Sequence, residues 1–370
     1  MHYMSSTNFL FIKKNFTIFI RCVLRIFSIH HLVYCLLYNR LQKEVFEMTN
    51  MKDIAKIAGV SSATVSRVIN NNGYVSHITR QKVESAVENL DYVPNSQAIS
   101  LKKGATKTIG IIAPNITETI TVLVKNFTLA AQKKGYTVIL YLTENDPKKE
   151  LNALELMRSK QLDGIFLIIR SNDWSTIESY TKYGPIVTWQ RVKSSRISSV
   201  FIDQYNGYLL GLEYLYAKGC RNIINLYSDI RRLNTKSRIK AYEYFCKKYD
   251  LTPHSPEQFN GINSIQDGER VAHWLDEQKK KPDAFMTSSD AVAAGLVSQA
   301  KRLGFSLPED FSVIGFDNIE ISHLLDITTI DYSIHKQAEN AFKMINNDLT
   351  LQKLTPEELA FTLIVRKTTK

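Results

Sequence analysis

The fold is decided by residues Lys52–Asn70, which read KDIAKIAGVSSATVSRVIN. Their first part has apolar side chains at helical spacing, with Ile54, Ile57 and Ala58 on one face. Gly59 then ends the helix, because only glycine adopts the left-handed conformation there without steric cost. The stretch therefore predicts a short helix that stops at a tight turn, with a second helix after it.

The second helix has two different faces. Ser61 is a good N-cap for it, and its apolar face comes from Val65, Val68 and Ile69. The remaining side chains are small or hydrogen-bonding, so this helix can lie close to the base edges and phosphates of a DNA major groove. The spacing alone leaves open an ordinary helical hairpin whose second helix is solvated.

A third helix follows in the sequence. Thr79 can cap it and Pro94 ends it. Its core stripe consists of Val83, Ala86, Val87 and Leu90. Residues 48–94 therefore predict a small all-α headpiece that contains a helix-turn-helix.

This headpiece resembles that of LacI/GalR-family transcriptional regulators, whose signature D-I/V-A-x-x-A-G-V-S-x-x-T-V-S-R-V-I/L-N matches Asp53–Asn70. The resemblance implies DNA binding, with the second helix in the major groove. The DNA-binding positions that it predicts in the headpiece are Ser61, Ser62, Ala63, Thr64, Ser66, Arg67, Asn70, Tyr74, Ser76 and Thr79.

Residues 95–107 resemble the hinge helix and linker of the same family. In that family the paired hinge helices of a dimer enter the minor groove, and the leucine that matches Leu101 wedges between base pairs and bends the DNA. The predicted contacts of this segment are Asn95, Ala98, Leu101 and Lys102. Ile99 departs from the family, which more often has an arginine or another polar residue there.

Positive charge is concentrated near the N-terminus of the 370-residue chain, whose formal net charge is +11 at pH 7. Residues 1–47 hold six basic and two acidic residues, residues 48–107 hold eight and four, and the other 263 residues hold 33 and 30. A small basic module favours contacts with phosphates. The long, nearly neutral remainder is sufficient for at least one further hydrophobic core.

The first 47 residues are expected to lie outside the fold. The segment Phe9–Tyr38 is rich in apolar residues, but cations interrupt the run that a membrane span requires, and no small-residue cleavage site of a secretory signal follows. We favour a start codon assigned too far upstream, or a disordered extension, since Met48 lies just before the first helix. The preceding Lys43–Val45 is also what a ribosome-binding sequence would encode.

From residue 108 onward, short apolar runs alternate with amphipathic segments. The run Asp163–Ile169 predicts a buried strand, and a further strand is predicted near Glu257–Asn260. Strands that alternate with helices indicate βαβ units and parallel sheets. The pattern predicts two doubly wound α/β subdomains, an N-subdomain of residues 108–206 and 331–350 and a C-subdomain of residues 207–330 and 351–370.

This body resembles the effector domain of the same family, which has the type I periplasmic-binding-protein fold. Landmarks are Lys134-Gly135-Tyr136 and Gly315-Phe316-Asp317-Asn318. Ligands of open α/β sheets bind beyond the carboxyl ends of the strands, so we expect a ligand cleft between the subdomains. Phe316 and Asp317 resemble a family loop near that cleft and are expected to be mainly structural.

Two charged residues are the main candidates for ligand binding. Arg238 matches an arginine that holds effector hydroxyls or a carboxylate in the family, and Asp290 matches a ligand-binding aspartate. An arginine that donates and an aspartate that accepts can together bind sugar hydroxyls, although each alone would more often form a surface salt bridge. Ala241 and Ser289 replace the usual glycine and asparagine of these motifs. Further pocket positions, which could equally be rim or dimer contacts, are Gln190, Arg191 and Asp203.

These features predict a transcriptional repressor that binds a palindromic operator as a homodimer or tetramer and responds to a sugar-like effector. The alternative is a solute receptor tethered by the N-terminal segment, against which the headpiece argues. No nucleophile–base pair or phosphate-binding glycine loop indicates an enzyme. The four cysteines show neither metal-ligand spacing nor a disulfide framework, so we expect no cofactor and a reduced, cytoplasmic, nucleoid-associated location.

Overall fold

The three-dimensional structure is a computed structural model that describes residues 50–93 and 104–370. These residues belong to two compact units, which lie within residues 1–99 and 100–370. The expected N-terminal extension, residues 1–47, lies outside the described residues. The predicted hinge contacts Asn95, Ala98, Leu101 and Lys102 also lie outside them.

The first unit contains three helices, α1 (Met51–Ala58), α2 (Ser62–Ile69) and α3 (His77–Asn89). The two short helices predicted around the turn are confirmed. Gly59 caps the end of α1 with φ of 64°, the left-handed conformation that favours glycine. The core of this unit consists of Ile54, Ala55, Ala58, Val65, Val68, Val83 and Ala86.

Ile57 was expected in this core, but it is 56% exposed. A helix turns by about 100° per residue, so Ala55 and Ala58 lie on one side of Ile54 and Ile57 lies on the other. The two alanines take the buried face together with Ile54. Ile57 therefore faces away from the centre of the core.

The ends of α3 also differ from the prediction. Ser76, and not Thr79, caps its start, because the Ser76 Oγ accepts a hydrogen bond from the Thr79 N–H at 3.3 Å. Thr79 is thus the third residue of the helix. The helix ends at Asn89, before Pro94 is reached.

The first half of the second unit is built on a parallel five-stranded sheet in the order β2-β1-β3-β4-β5. Its strands are β1 (Thr108–Ala113), β2 (Thr137–Leu142), β3 (Gly164–Leu167), β4 (Ile186–Thr188) and β5 (Ile197–Ser199). The helices that connect them are α4 (Glu118–Gln132), α5 (Pro147–Arg158) and α6 (Trp174–Glu178). The central strand β3 is buried along its whole length, as expected for a parallel sheet covered on both faces.

The second half is built on a sheet in the order β10-β9-β8-β7-β6, in which only β10 is antiparallel to its neighbour. Its strands are β6 (Ile223–Asn225), β7 (Ala284–Met286), β8 (Ser312–Phe316), β9 (Thr328–Asp331) and β10 (Thr362–Ile364). Its helices are α7 (Tyr205–Ala217), α8 (Leu233–Tyr249), α9 (Ile265–Glu277), α10 (Asp290–Arg302) and α11 (Glu320–Leu324). Among the residues that the structure describes, no helix is both long and apolar enough to span a membrane.

The last helix, α12 (Ile334–Leu349), packs against α4 and β3 of the first half. The chain then returns to the second half to form β10. The predicted pair of doubly wound α/β subdomains is therefore confirmed, and the carboxyl ends of their strands carry the polar loops described below.

The strand predicted near Glu257–Asn260 is wrong. Residues Pro256–Phe259 form a single turn of 3-10 helix, and only Asn260 makes an isolated bridge to Tyr227. Pro256 has no N–H to donate and favours the first turn of a helix.

Candidate DNA-binding surface and ligand cleft

Helix α2 has a buried face and an exposed face. Val65 and Val68 lie in the core of the first unit, while Ser62, Ala63 and Arg67 are exposed. Thr64 and Ser66, also predicted as DNA contacts, are partly exposed beside them. Within residues 50–93 and 104–370, the Arg67 guanidinium has no ion-pair or hydrogen-bond partner. The helix thus presents short side chains and one unpaired cation to the exterior.

Four further predicted positions help to shape this unit. The Ser61 Oγ accepts a hydrogen bond from the Thr64 N–H at 3.2 Å and so caps α2. The Asn70 Nδ2 donates to the Ser66 carbonyl oxygen at 2.8 Å. Ser76 and Thr79 are joined by a hydroxyl–hydroxyl hydrogen bond of 2.8 Å. Tyr74, by contrast, is 92% exposed.

Replacing Ser61 with alanine is expected to destabilise α2 by about 1 kcal/mol, because the Thr64 N–H loses its acceptor. Hydrogen exchange of the α2 amides in the full chain should then be about fivefold faster. Ser62→Ala is the matched control, since Ser62 is the next residue and makes no cap. Equal acceleration by both substitutions would contradict the capping role.

Arg238 lies on α8 and is only 8% exposed. Its Nε donates to the Gln204 Oε1 at 2.9 Å, and its Nη1 donates to the Ser288 carbonyl oxygen at 2.8 Å. The guanidinium also lies 3.9 Å above the ring centroid of Phe316. Burial lowers the pKa of Arg238, since a buried site disfavours the charged form. These contacts fix the plane of the guanidinium.

Asp317 follows β8 and connects the two halves of the second unit. Thr119, in the first turn of α4, donates from its Oγ1 to the Asp317 Oδ2 at 2.9 Å. Burial, together with the nearby charge of Asp290, raises the pKa of Asp317 to about 8. The sequence predicted a mainly structural role for Asp317, whereas the structure places its carboxyl between the two halves and near Arg238.

Because the pKa of Asp317 is raised, we expect the stability of the second unit to depend on pH. The pKa in the folded chain, about 8, exceeds the unfolded value of about 3.9, so the folded state binds more protons between these values. The free energy of unfolding should therefore fall as the pH rises through this window. The groups that face the Asp317 carboxyl are Thr119 on α4, Arg238 on α8, Asp290 on α10 and Tyr332 after β9.

Asp317→Asn removes this titration, so its free energy of unfolding should depend less on pH than that of the wild type. Urea unfolding monitored by tryptophan fluorescence measures the difference. All three tryptophans of the chain, Trp174, Trp189 and Trp274, lie in the second unit and report on it alone. Parallel pH profiles for the two proteins would contradict the assignment.

Asp290, which the sequence predicted as an effector contact, forms its hydrogen bonds within the second half of this unit. Its side chain is fully buried. Its Oδ2 accepts from the Ile319 N–H at 2.9 Å, and its Oδ1 accepts from the Thr329 hydroxyl at 2.5 Å. A Cβ at Gly315 would lie 2.1 Å from the Oδ1, so this close approach requires glycine. The Asp290 carboxyl therefore stabilises the loop that contains Asp317.

Gln190, Arg191 and Asp203 lie near the carboxyl ends of β4 and β5. Gln190 Oε1 accepts from the Arg170 N–H at 2.9 Å, and Arg191 forms an ion pair with Asp203. Arg191 also lines a surface depression together with Ser237 of α8. The structure thus places Arg191 and Asp203 beside Ser237 of α8, whereas the hydrogen bonds of Gln190 stay within the first half.

Burial opposes ionisation of Asp203, but hydrogen bonds from the Tyr205 N–H, Ser237 and Arg191 outweigh it and lower its pKa. Asp203 is therefore an ionised partner for Arg191, and the pair leaves little net charge beside Ser237.

Sequence reasoning missed Gln204 and Thr119, which hold Arg238 and Asp317. Neither residue stands in a motif. The available signal was their position, since both are polar and lie at the start of a helix that follows a strand. Tyr208, whose ring lies 5.5 Å from the Arg238 guanidinium, was also missed, because an aromatic residue at helical spacing is usually core.

The comparisons with known proteins follow the division into two units. Residues 50–95 match the family described as "Bacterial regulatory proteins, lacI family", and residues 212–369 match the "Periplasmic binding protein-like domain". The NTD biosynthesis operon regulator NtdR of Bacillus subtilis (strain 168) is 35% identical over 302 residues, which is 80% of this chain and 91% of that protein. The chain belongs to the LacI family of bacterial regulatory proteins.

Solved structures of LacI-family proteins share the fold. The Lac repressor dimer bound to operator and the anti-inducer ONPF has a TM-score of 0.76 and 23% identity, with 87% of this chain and 99% of that chain covered. A LacI-family regulator from Lactobacillus casei with bound sucrose has a TM-score of 0.65 and 22% identity, covering 71% and 99%. The predicted family and fold are thus confirmed, and the chain is a DNA-binding transcriptional regulator.

Proposed function

We propose that this LacI-family regulator is a repressor that binds a palindromic operator as a homodimer. A sugar-like small molecule, bound beside Arg238 and Asp317, would control it. The proposal rests on the Thr119–Asp317 hydrogen bond, which joins the two halves of the second unit at the place where Arg238 is held. A ligand that breaks or replaces this bond would favour one arrangement of the halves over another.

On the DNA side, Arg67 is proposed to read a guanine in the major groove through its two N–H donors. Ser62, Ala63 and Thr64 are short enough to let α2 lie close to the bases. The proposed contacts with backbone phosphates and sugars, which position the helix without reading sequence, are Ser61, Ser66, Asn70, Tyr74, Ser76 and Thr79. The proposed minor-groove contacts, all outside the described residues, are Asn95, Ala98, Leu101 and Lys102.

On the ligand side, Arg238 is proposed to donate to the effector with the N–H groups that Gln204 and Ser288 leave free. Asp317 would donate or accept according to its protonation, and Gln190, Arg191 and Asp203 would form the rim. The Lactobacillus casei regulator of the same fold holds sucrose, which supports a ligand of this class. The effector must bind one state of the protein more tightly, since otherwise it shifts nothing.

The proposed function is tested by selecting binding sites for the purified full chain from random double-stranded DNA. A homodimer with one α2 helix per subunit should enrich an inverted repeat, because two half-sites must face two symmetric helices. Enrichment of a direct repeat, or of no sequence at all, would contradict the proposal.

A further inference from the structure

Asp163 forms three hydrogen bonds with the residues that lead into β1. Its Oδ1 accepts from the Thr106 N–H at 2.8 Å and from the Thr106 hydroxyl at 2.9 Å, and its Oδ2 accepts from the Lys107 N–H at 2.8 Å. The Asp163 N–H in turn donates to the Thr108 carbonyl oxygen at 2.8 Å. Asp163 lies directly before β3, the neighbour of β1 in the sheet. Its carboxylate therefore fixes the start of the second unit to an adjacent strand.

The second half of this unit contains the same arrangement. Asp283 lies directly before β7, and its Oδ2 accepts from the Arg221 N–H at 2.7 Å and from the Asn222 N–H at 2.8 Å. The two carboxylates differ in the chain that precedes the residues they bind. Before Arg221 the chain comes from α7 of the same half. Before the residues bound by Asp163 it comes from residues 94–105, the connecting segment, which leads from the first unit.

Asp163 is the main attachment of Thr106 to the second unit. All hydrogen bonds of Thr106 with residues more than two positions away go to Asp163. Lys107 has further contacts, since its carbonyl oxygen accepts from the Thr137 N–H at 2.8 Å and its Nζ lies 4.1 Å from the Tyr136 ring centroid. Loss of the Asp163 carboxylate would therefore release Thr106 and loosen Lys107, which lengthens the connecting segment by up to about two residues.

Two released residues are long on the scale of DNA. An extended residue spans about 3.3–3.6 Å, so each subunit would gain up to about 7 Å of reach. One added base pair moves two half-sites about 3.4 Å further apart and rotates them by roughly a tenth of a turn. The closure entropy of a connecting segment changes only slowly with its length. A longer segment should therefore alter which half-site spacings are bound more than it alters the affinity for the best one.

We infer that Asp163 is a positioning residue that sets the half-site spacing of the operator. It acts through Thr106 and Lys107, by fixing the point where the connecting segment joins the second unit. This inference rests on the proposed function, because it concerns how the same homodimer selects its inverted repeat. Asp163 is thus assigned a part in operator selection that its equivalent, Asp283, does not share.

Fluorescence anisotropy with the full chain tests the inference on the selected inverted repeat and on sites whose spacer is one or two base pairs longer. The wild type should prefer the selected spacing over the next by about tenfold or more. Asp163→Ala should reduce this preference by about threefold or more, since a longer segment reaches the displaced half-site. Its affinity for the selected spacing should fall by about twofold at most. A ratio of two affinities measured on one protein does not depend on the folded fraction, so a loss of stability alone would not change it.

Asp283→Ala is the matched control. It removes a carboxylate that binds two backbone N–H groups in the same way, but the residues that it releases follow α7, so the spacing preference of the wild type should remain. Asp163→Asn keeps the size of the side chain and one acceptor oxygen. It should still reduce the preference, which keeps the test decisive if the alanine variant does not fold.

The inference is overturned if Asp163→Ala, or Asp163→Asn where alanine does not fold, keeps the ratio of the wild type. It is also overturned if Asp283→Ala relaxes the spacing equally, or if the wild type binds its inverted repeat without any preference for spacing. A wild type that selects no inverted repeat would instead contradict the proposed function.

Discussion

Arg67→Ala should weaken binding to the selected operator by about tenfold to a hundredfold, since a good bidentate contact with guanine contributes about 1–3 kcal/mol of discrimination. The Arg67 guanidinium is exposed on α2 and, among the described residues, is not engaged by another side chain. Its removal should therefore take away the proposed contact with DNA, and no hydrogen bond or ion pair of its guanidinium with the described residues. Fluorescence anisotropy with labelled operator DNA measures the change.

Arg80→Ala is the matched control for Arg67→Ala. Arg80 is also an arginine of the first unit, but its Nη1 donates to the Asn71 Oδ1 at 2.8 Å. Loss of a base contact relaxes specificity at one position of the site, whereas loss of a phosphate contact weakens all sequences alike and lowers the salt dependence. If both variants lost affinity equally for all DNA sequences, Arg67 would contact only phosphates.

Asp290→Ala should lower the free energy of unfolding of the second unit by about 2–4 kcal/mol. The carboxyl is fully buried and accepts hydrogen bonds from the Ile319 N–H and the Thr329 hydroxyl. The substitution leaves both donors buried without an acceptor and opens a cavity beside Gly315. Urea unfolding followed by tryptophan fluorescence measures the loss.

Two further variants separate this structural role from a contact with the effector. Asp290→Asn keeps an acceptor oxygen and should destabilise the unit less than alanine does. Asp173→Ala removes a carboxylate whose side chain is 91% exposed and should change stability little. If Asp290→Ala folded as stably as the wild type but lost effector binding, Asp290 would be a ligand contact after all.

The helices of the first unit could be predicted because their signals are local. Gly59 ends α1 and Ser61 starts α2 through contacts within a few residues. The sequence alone is therefore sufficient to predict both helix ends. Thr79 shows the limit of such signals, since Ser76 lies three residues earlier and caps the same helix. Both residue types favour caps, and only the geometry decides between them.

The ligand cleft could be predicted only in outline. Asp290 and Asp317 each follow a strand of the second sheet, so the sequence pattern does not distinguish them. The structure separates them through contacts with residues far away in sequence, namely Thr329 for Asp290 and Thr119 for Asp317. Arg238 was predicted from its motif, but its partners Gln204 and Ser288 are 34 and 50 residues away. No local pattern could have named them.

The central claim is that α2 reads a specific operator. The most direct measurement compares the affinity of the full-length wild type for its selected inverted repeat with its affinity for a shuffled sequence, at one physiological salt concentration. The account predicts a ratio of at least about a thousandfold, as for sequence-specific regulators. A ratio near one would show that the positive charge of the chain binds DNA without reading it, and would contradict the account.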